Sequence, residues 1–72
     1  MINPIETKKL IRRPKVEEDT GLSCSEIYRR MSNGTFPRPT KIGATSLWVE
    51  SEVQNWINER IVERDTIVEV TQ

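Results

Sequence analysis

The chain has 72 residues, of which 35 % are hydrophobic and 31 % charged, and its 11 Lys and Arg residues balance 11 Asp and Glu residues. A chain of this length forms one small domain that hides only about 60 % of the surface its unfolded form exposes, which excludes a large enclosed active site. Its longest apolar run, residues 47–49, is far shorter than the roughly 20 residues that a membrane helix needs.

Missing residue types limit the chemistry that this chain can perform. It has no histidine and a single cysteine, Cys24, which excludes a zinc site and the usual base-activated nucleophiles. Its glycines, Gly21, Gly34 and Gly43, match no phosphate-binding loop. We therefore expect no enzyme activity, no metal and no cofactor. The lone cysteine and the lack of an apolar leader in residues 1–9 favour a cytoplasmic location without a membrane anchor.

The first elements in the chain are a basic segment and a short helix. Residues 1–7 show no periodicity, and we expect them to be flexible. Residues 8–13, KKLIRR, place two apolar side chains between basic pairs, as a short strand or a lead-in segment does. Pro14 suits the first turn of a helix and Gly21 suits its end, which predicts a helix over residues 14–20.

A second helix follows almost at once. Ser23 and Glu26 form the S-x-x-E pattern of a capping box, in which each side chain satisfies a free backbone N–H at the start of a helix. Only residues 21–22 separate this start from the first helix, and the Asn-Gly pair at residues 33–34 ends the second one. Two short helices joined by a tight turn with glycine predict a helix-turn-helix.

Helical spacing divides the second helix into an apolar and a polar face. The inward face, the outward face and the margin between them contain, in that order, Cys24, Ile27 and Met31; Ser25, Arg29 and Ser32; and Tyr28. Cys24 is therefore expected to serve as a small buried hydrophobic residue. Glu26 precedes Arg30 by four positions, which favours an ion pair. The neighbours of Arg29 at four positions are not acidic, so we expect Arg29 to be free for a ligand.

A rigid corner and a hairpin come next. Residues 35–40, TFPRPT, place Arg38 between two prolines, which forbid helix and favour extended backbone. Residues 41–49 have apolar residues in both arms of a predicted β-hairpin, with its turn at residues 43–46. This hairpin predicts a two-stranded wing with Thr45 and Ser46 at its tip.

The third helix is predicted to support the others. It begins at Glu50 or Ser51, and an apolar stripe follows at helical spacing. The stripe consists of Val53, Trp56, Ile57 and Ile61. Trp48 and Trp56 are expected to anchor the core rather than to stack on bases. We expect a domain over residues 8–64 and a C-terminal tail over residues 65–72, which alternates like a strand but is expected to fray.

The distribution of charge favours a polyanionic partner. Residues 1–49 carry nine Lys and Arg residues against five Asp and Glu residues, whereas residues 50–72 carry two against six. Such a field attracts a polyanion to one side of the molecule. An α-helix fits the major groove of B-DNA, where arginine pairs with guanine and serine serves base or phosphate. The sequence therefore predicts base contacts from the second helix and phosphate contacts from the corner and the wing.

Five short motifs in a fixed order carry a family resemblance. They are TGLS at residues 20–23, IYR at 27–29, NGxFPxP at 33–39, KIG at 41–43 and WVESEVxxWI at 48–57. On these motifs, residues 10–61 resemble the AlpA-type phage regulatory proteins, small winged helix-turn-helix regulators related to phage excisionases and MerR-like DNA-binding domains. The resemblance implies control of prophage genes or excision through sequence-specific duplex binding, with DNA contacts from Ser25, Tyr28, Arg29 and the wing.

Together these observations predict an α+β winged helix-turn-helix domain, with three helices and a two-stranded hairpin wing. The function expected is sequence-specific binding of double-stranded DNA in transcriptional regulation of prophage or mobile-element genes, with a role as an excision factor as one form of it. An alternative is a protein-interaction module whose basic face binds an integrase or another DNA-bound regulator. The residues expected to contact DNA are Ser23, Ser25, Tyr28, Arg29, Arg30, Arg38, Lys41, Thr45 and Ser46.

Two departures from the family pattern weaken the expected affinity. Cys24 stands where relatives often carry a basic residue, and Thr45-Ser46 stand where an arginine is frequent. Each change removes a phosphate partner, and each lost contact lowers the salt dependence of binding by about 0.9. We therefore expect one protomer to bind weakly and useful affinity to come from repeated sites, cooperative binding or a partner protein.

Overall fold

The computed structural model describes residues 8–70, with side chains described for residues 8–66. Its elements in chain order are β1 (Leu10–Arg12), α1 (Arg13–Thr20), α2 (Cys24–Ser32), β2 (Thr40–Ile42), β3 (Thr45–Val49) and α3 (Glu50–Val70). The sheet is antiparallel, with the strand order β1-β3-β2. The predicted α+β winged helix-turn-helix is confirmed with one strand more than expected. The predicted flexible segment, residues 1–7, lies outside the described residues.

The basic segment adopts the strand alternative and enlarges the wing to three strands. Ile11 of β1 lies opposite Trp48 of β3, and the backbone N–H of Glu50 donates to the carbonyl of Lys9 at 2.7 Å. Successive side chains of a strand point to opposite faces, so Ile11 is buried while Leu10 stays 38 % exposed. The two-stranded prediction was wrong because β3 offers a second edge of unpaired backbone groups, which β1 satisfies.

The turn of the wing is shorter than predicted. Lys41 pairs with Ser46 and Ile42 with Thr45, so the turn consists of residues 43–44 alone. Gly43 takes a φ of 64° and no other residue of the described wing has a positive φ, as in the type II′ turn that joins tightly twisted strands. Thr45 and Ser46 were therefore wrongly placed at the tip. They lie within β3 and are half-buried.

The helix-turn-helix forms as the sequence predicts. Gly21, with a φ of 78°, donates its N–H to the carbonyl of Glu17 at 2.8 Å and ends α1. The hydroxyl of Ser23 accepts from the backbone N–H of Glu26 at 3.2 Å and caps α2. The reciprocal half of the predicted capping box is replaced, because the carboxylate of Glu26 turns to the arginines of its own helix. Residues 33–34 end α2 as predicted.

The buried core takes one residue from every element except β2, and one from the corner. Its buried members are Ile11, Val16, Ile27, Phe36, Trp48 and Val53. Phe36 was not predicted as a core residue, because the two prolines that follow it predict a rigid extended backbone but not burial. Leu22, Met31, Trp56 and Ile57 pack partly buried against this cluster. The inward face predicted for α2 is thus confirmed at Ile27, whereas Met31 and Cys24, which was expected to be buried, are only half-buried.

Both tryptophans hold the corner by its backbone. The indole N–H of Trp48 donates to the carbonyl of Pro37 at 3.1 Å, and that of Trp56 donates to the carbonyl of Thr35. Phe36 lies between these two bonds and contacts the Trp56 ring edge to face, with centroids 4.9 Å apart. The corner that carries Arg38 is therefore fixed against both the sheet and α3. Trp48 is fully buried, as predicted, whereas Trp56 is only partly buried.

The third helix is longer than predicted. Its predicted end was near residue 64, with a strand-like or frayed tail beyond, but α3 continues to Val70. No proline or glycine occurs after residue 43 to stop a helix, and helical backbone satisfies its own hydrogen bonds whereas a lone strand does not. Within residues 8–70, no helix is both long and apolar enough to cross a membrane.

Candidate nucleic-acid interface

The outward face of α2 is exposed where the sequence predicts it. Ser25, Arg29 and Ser32 are exposed, and Ile27 on the opposite side is fully buried. Tyr28 is 41 % exposed and rests its ring against Trp48, with centroids 6.5 Å apart at an interplanar angle of 69°. The buried indole of Trp48 therefore supports the exposed phenol of Tyr28. This face presents two serine hydroxyls, a phenol and a guanidinium to solvent.

Arg29 has an acidic partner that the sequence analysis missed. Its Nη2 contacts Oε2 of Glu26, and Nε of Arg30 contacts the same oxygen at 3.1 Å. The expectation of a free Arg29 was wrong because only neighbours at four positions were considered, whereas residues three apart also lie side by side on a helix. Arg29 nevertheless keeps 60 % of its side chain exposed, against 33 % for Arg30.

The shared carboxylate is electrostatically stabilised. The hydrogen bond and charge of Arg29, with the charge of Arg30, lower the pKa of Glu26 despite the opposing effect of its partial burial. Arg30 also makes a cation–π contact, because its guanidinium lies 5.9 Å from the centre of the Trp56 ring. Arg30 thus belongs partly to the packing between α2 and α3. Arg29 is the more accessible of the two arginines.

One surface recess is lined by three residues that were predicted to contact DNA, Tyr28, Thr45 and Ser46. Two arginines that were not among the predicted site residues, Arg12 and Arg13, also line it. The recess, called here the arginine recess, is lined by Arg12, Arg13, Pro14, Tyr28, Ala44, Thr45 and Ser46. It lies between the start of α1, the outward face of α2 and the wing. Arg13 pairs with Glu17 at 3.0 Å and keeps 47 % of its side chain exposed. The sequence signal was the basic pair at residues 12–13 beside Pro14, which was assigned to a short strand or a lead-in segment and not to the DNA contacts.

Tyr28 also lines a second recess on its other side. This recess, called here the corner recess, is lined by Tyr28, Met31, Ser32, Arg38 and Pro39. Arg38 is exposed at the corner that the two tryptophans fix. The phenol of Tyr28 therefore stands between two concave surfaces, each with arginine in its wall. Ser25 and Arg29 share the exposed side of the same helix.

Two predicted site residues lie at the margins of this arrangement. Lys41 is exposed on β2 and lies directly opposite Ser46, so the two side chains share one face of the wing. Ser23 is exposed, but its oxygen already accepts the capping hydrogen bond from Glu26. Ser23 therefore has a structural role whatever else it contacts. Within residues 8–66, Glu26 is the acidic residue that contacts Arg29. The acidic helix α3 packs against β3 and α1.

Comparison with known proteins matches most of the chain. Residues 9–61 match the protein family described as "Prophage CP4-57 regulatory protein (AlpA)". The chain is also similar to "Uncharacterized protein ORF88" of Enterobacteria phage P4, with 36 % identity over 61 residues, covering 83 % of this chain and 69 % of that protein. No solved structure matches the chain. The matched region contains both recesses and the whole of α2.

Proposed function

This chain belongs to the AlpA family of prophage regulatory proteins, and we propose that it binds double-stranded DNA sequence-specifically to regulate prophage or mobile-element genes. One observation carries the proposal: the exposed face of α2 presents Arg29 beside Tyr28, and arginine-walled recesses flank Tyr28 on both sides. Double-stranded DNA suits this surface, because its major groove accepts an α-helix and its phosphates bind basic side chains on either side of that helix.

In this proposal α2 enters the major groove. Arg29 and Ser25 lie on its exposed side, and arginine can donate two hydrogen bonds to the O6 and N7 atoms of guanine. Ile27 fixes the rotation of the helix because it is fully buried. The face presented to the bases is therefore determined by the core rather than by the surface.

The two recesses receive the DNA backbone on either side of the helix. The arginine recess offers charged donors from Arg12 and Arg13 and hydroxyl donors from Thr45 and Ser46, and the corner recess offers the charged donors of Arg38. Such contacts fix the register of a protein on the duplex and carry little sequence information. Tyr28 lines both recesses, which supports the proposal that its hydroxyl binds a phosphate between them. Lys41 and Arg30 add positive charge at the margins.

The DNA-binding unit that we propose is residues 8–64. A single α2 reads only a few base pairs, so we propose cooperative binding to repeated sites. Transcriptional control and excision would use the same contact set. Selection of bound duplexes from a random pool tests the first step, since the proposal predicts a recurrent short motif that contains guanine. Recovery of unrelated sequences would contradict it.

A footprint over the DNA flanking the protein's own gene, at two salt concentrations, tests the biological role. Protection of a promoter indicates regulation, whereas tandem protection of an attachment site indicates excision. A basic face also suits an acidic protein surface, such as that of an integrase. Retention of a protein partner at a salt concentration that abolishes all DNA protection would favour that alternative over the proposal.

A further inference from the structure

We propose that Glu26 determines specificity by holding Arg29 away from DNA phosphates, so that binding to unselected duplex is weakened more than binding to the correct site. This inference rests on the proposed function. Its basis is that a single carboxylate oxygen contacts both arginines of α2. Glu26 thereby offsets half of the positive charge of the helix that is proposed to enter the groove.

The arrangement exceeds what α2 needs for its own stability. The pair between Glu26 and Arg30 has the four-residue spacing that stabilises helices. On α1 the same spacing pairs each basic residue with its own acidic residue, Arg13 with Glu17 and Lys15 with Asp19. In α2 the carboxylate additionally takes the most exposed arginine of the outward face. Ser23 fixes the backbone of Glu26 through its N–H, so the carboxylate is held at the first turn of the helix.

A phosphate that approaches Arg29 meets a competitor of the same charge. A phosphate that displaces Glu26 exchanges one charged acceptor for another, and a phosphate that binds the remaining donors of Arg29 lies next to the negative carboxylate. Like charges are brought together in both cases. Nonspecific contacts, which depend on phosphate neutralisation and counterion release, therefore gain little from Arg29. This lowers the affinity for unselected DNA.

A guanine edge carries no net charge, so the carboxylate of Glu26 does not repel it. Glu26 contacts the Nη2 end of the guanidinium, and arginine has five N–H donors in a planar fork. The remaining donors can face the O6 and N7 atoms of guanine while the contact with Glu26 keeps the side chain oriented. The same carboxylate therefore penalises phosphate contacts and preserves base contacts.

The test compares Glu26→Gln with the matched control Glu63→Gln. Both remove one negative charge, but Glu63 pairs with Arg60 on α3, with Nε and Oε1 3.3 Å apart, and lines neither recess of the proposed interface. The probes are a random-sequence duplex and the duplex selected from a random pool, each titrated at several salt concentrations. We expect Glu26→Gln to tighten random-duplex binding at least about fivefold and to steepen its salt dependence by roughly 1. We expect a smaller gain on the selected duplex.

The outcomes separate this inference from the proposed function. If Glu26→Gln binds random duplex no more tightly than Glu63→Gln, or if both duplexes gain equally, the role of Glu26 is wrong while DNA binding stands. If wild-type protein retains no duplex at low salt, the proposed function fails and this inference falls with it. A merely structural Glu26 would give a variant that binds random duplex no more tightly than wild-type protein, whereas the proposal expects tighter binding.

Discussion

Ile11 of β1 lies directly opposite Trp48 of β3, and both side chains are buried. This pair joins the basic segment before α1 to the wing, and so places Arg12 and Arg13 beside Thr45 and Ser46. The pairing of β1 with β3 thus helps to form the arginine recess.

Ile11→Ala should unfold much more easily than the wild type. Truncation of a buried isoleucine removes packed area and leaves a cavity, at a cost of about 2–5 kcal/mol, which is a large part of the stability of so small a domain. Leu10→Ala is the matched control, because Leu10 lies on the opposite face of the same strand and is 38 % exposed. Chemical denaturation followed by circular dichroism should show a loss below about 1 kcal/mol for the control. Equal losses would mean that β1 does not pack as described.

The arginine recess can be tested with a double variant, Arg12→Ala/Arg13→Ala. We expect weaker binding to random and selected duplexes alike and a salt dependence that falls by roughly 1–2, because phosphate contacts carry little sequence information. Lys15→Ala/Arg64→Ala is the control, since it also removes two exposed cations, and neither of them lines either recess. Fluorescence anisotropy titrations give both quantities. A control that loses as much affinity as the test variant would show that only net charge matters.

The shared carboxylate predicts a specific dependence of stability on pH. The hydrogen bond and charge of Arg29, followed by the charge of Arg30, lower the pKa of Glu26 in the folded protein. The unfolded state therefore binds this proton more tightly, so the contribution of the ion pairs is complete above the ordinary carboxylate pKa and is lost as pH falls through the lowered value. The melting temperature of Glu26→Gln should lie below that of wild type at neutral pH, and the difference should disappear in acid. A difference that persists or grows in acid would contradict the ion pairing.

The features that the sequence predicts correctly depend on local rules. Pro14 and Gly21 bound α1, Ser23 caps α2 and residues 33–34 end it, because each of these signals acts within one helical turn. The orientation of α2 also follows, since a period of 3.6 residues places Ile27 inward and Arg29 outward whatever lies behind the helix. The face proposed for DNA could thus be identified before any tertiary contact was known.

The features that were missed depend on partners distant in the chain. Residues 10–12 form a strand by pairing with β3, and Phe36 is buried in the core, where its ring contacts that of Trp56. The arginine recess combines residues from four elements, so no single stretch of sequence contains it. The contact between Glu26 and Arg29 was the exception. It is local, and a three-residue spacing would have revealed it.

The central claim is that Arg29 contacts bases from the exposed side of α2. The most direct measurement is the dissociation constant of Arg29→Ala for the selected duplex, with Arg64→Ala on α3 as the control of equal charge. Arg29 is 60 % exposed and is not part of the hydrophobic core, so its loss should leave the melting temperature nearly unchanged. We predict that Arg29→Ala weakens binding more than tenfold, a loss of about 1.4 kcal/mol or more, while the control stays within about twofold. Equal binding by Arg29→Ala and wild-type protein would contradict the account.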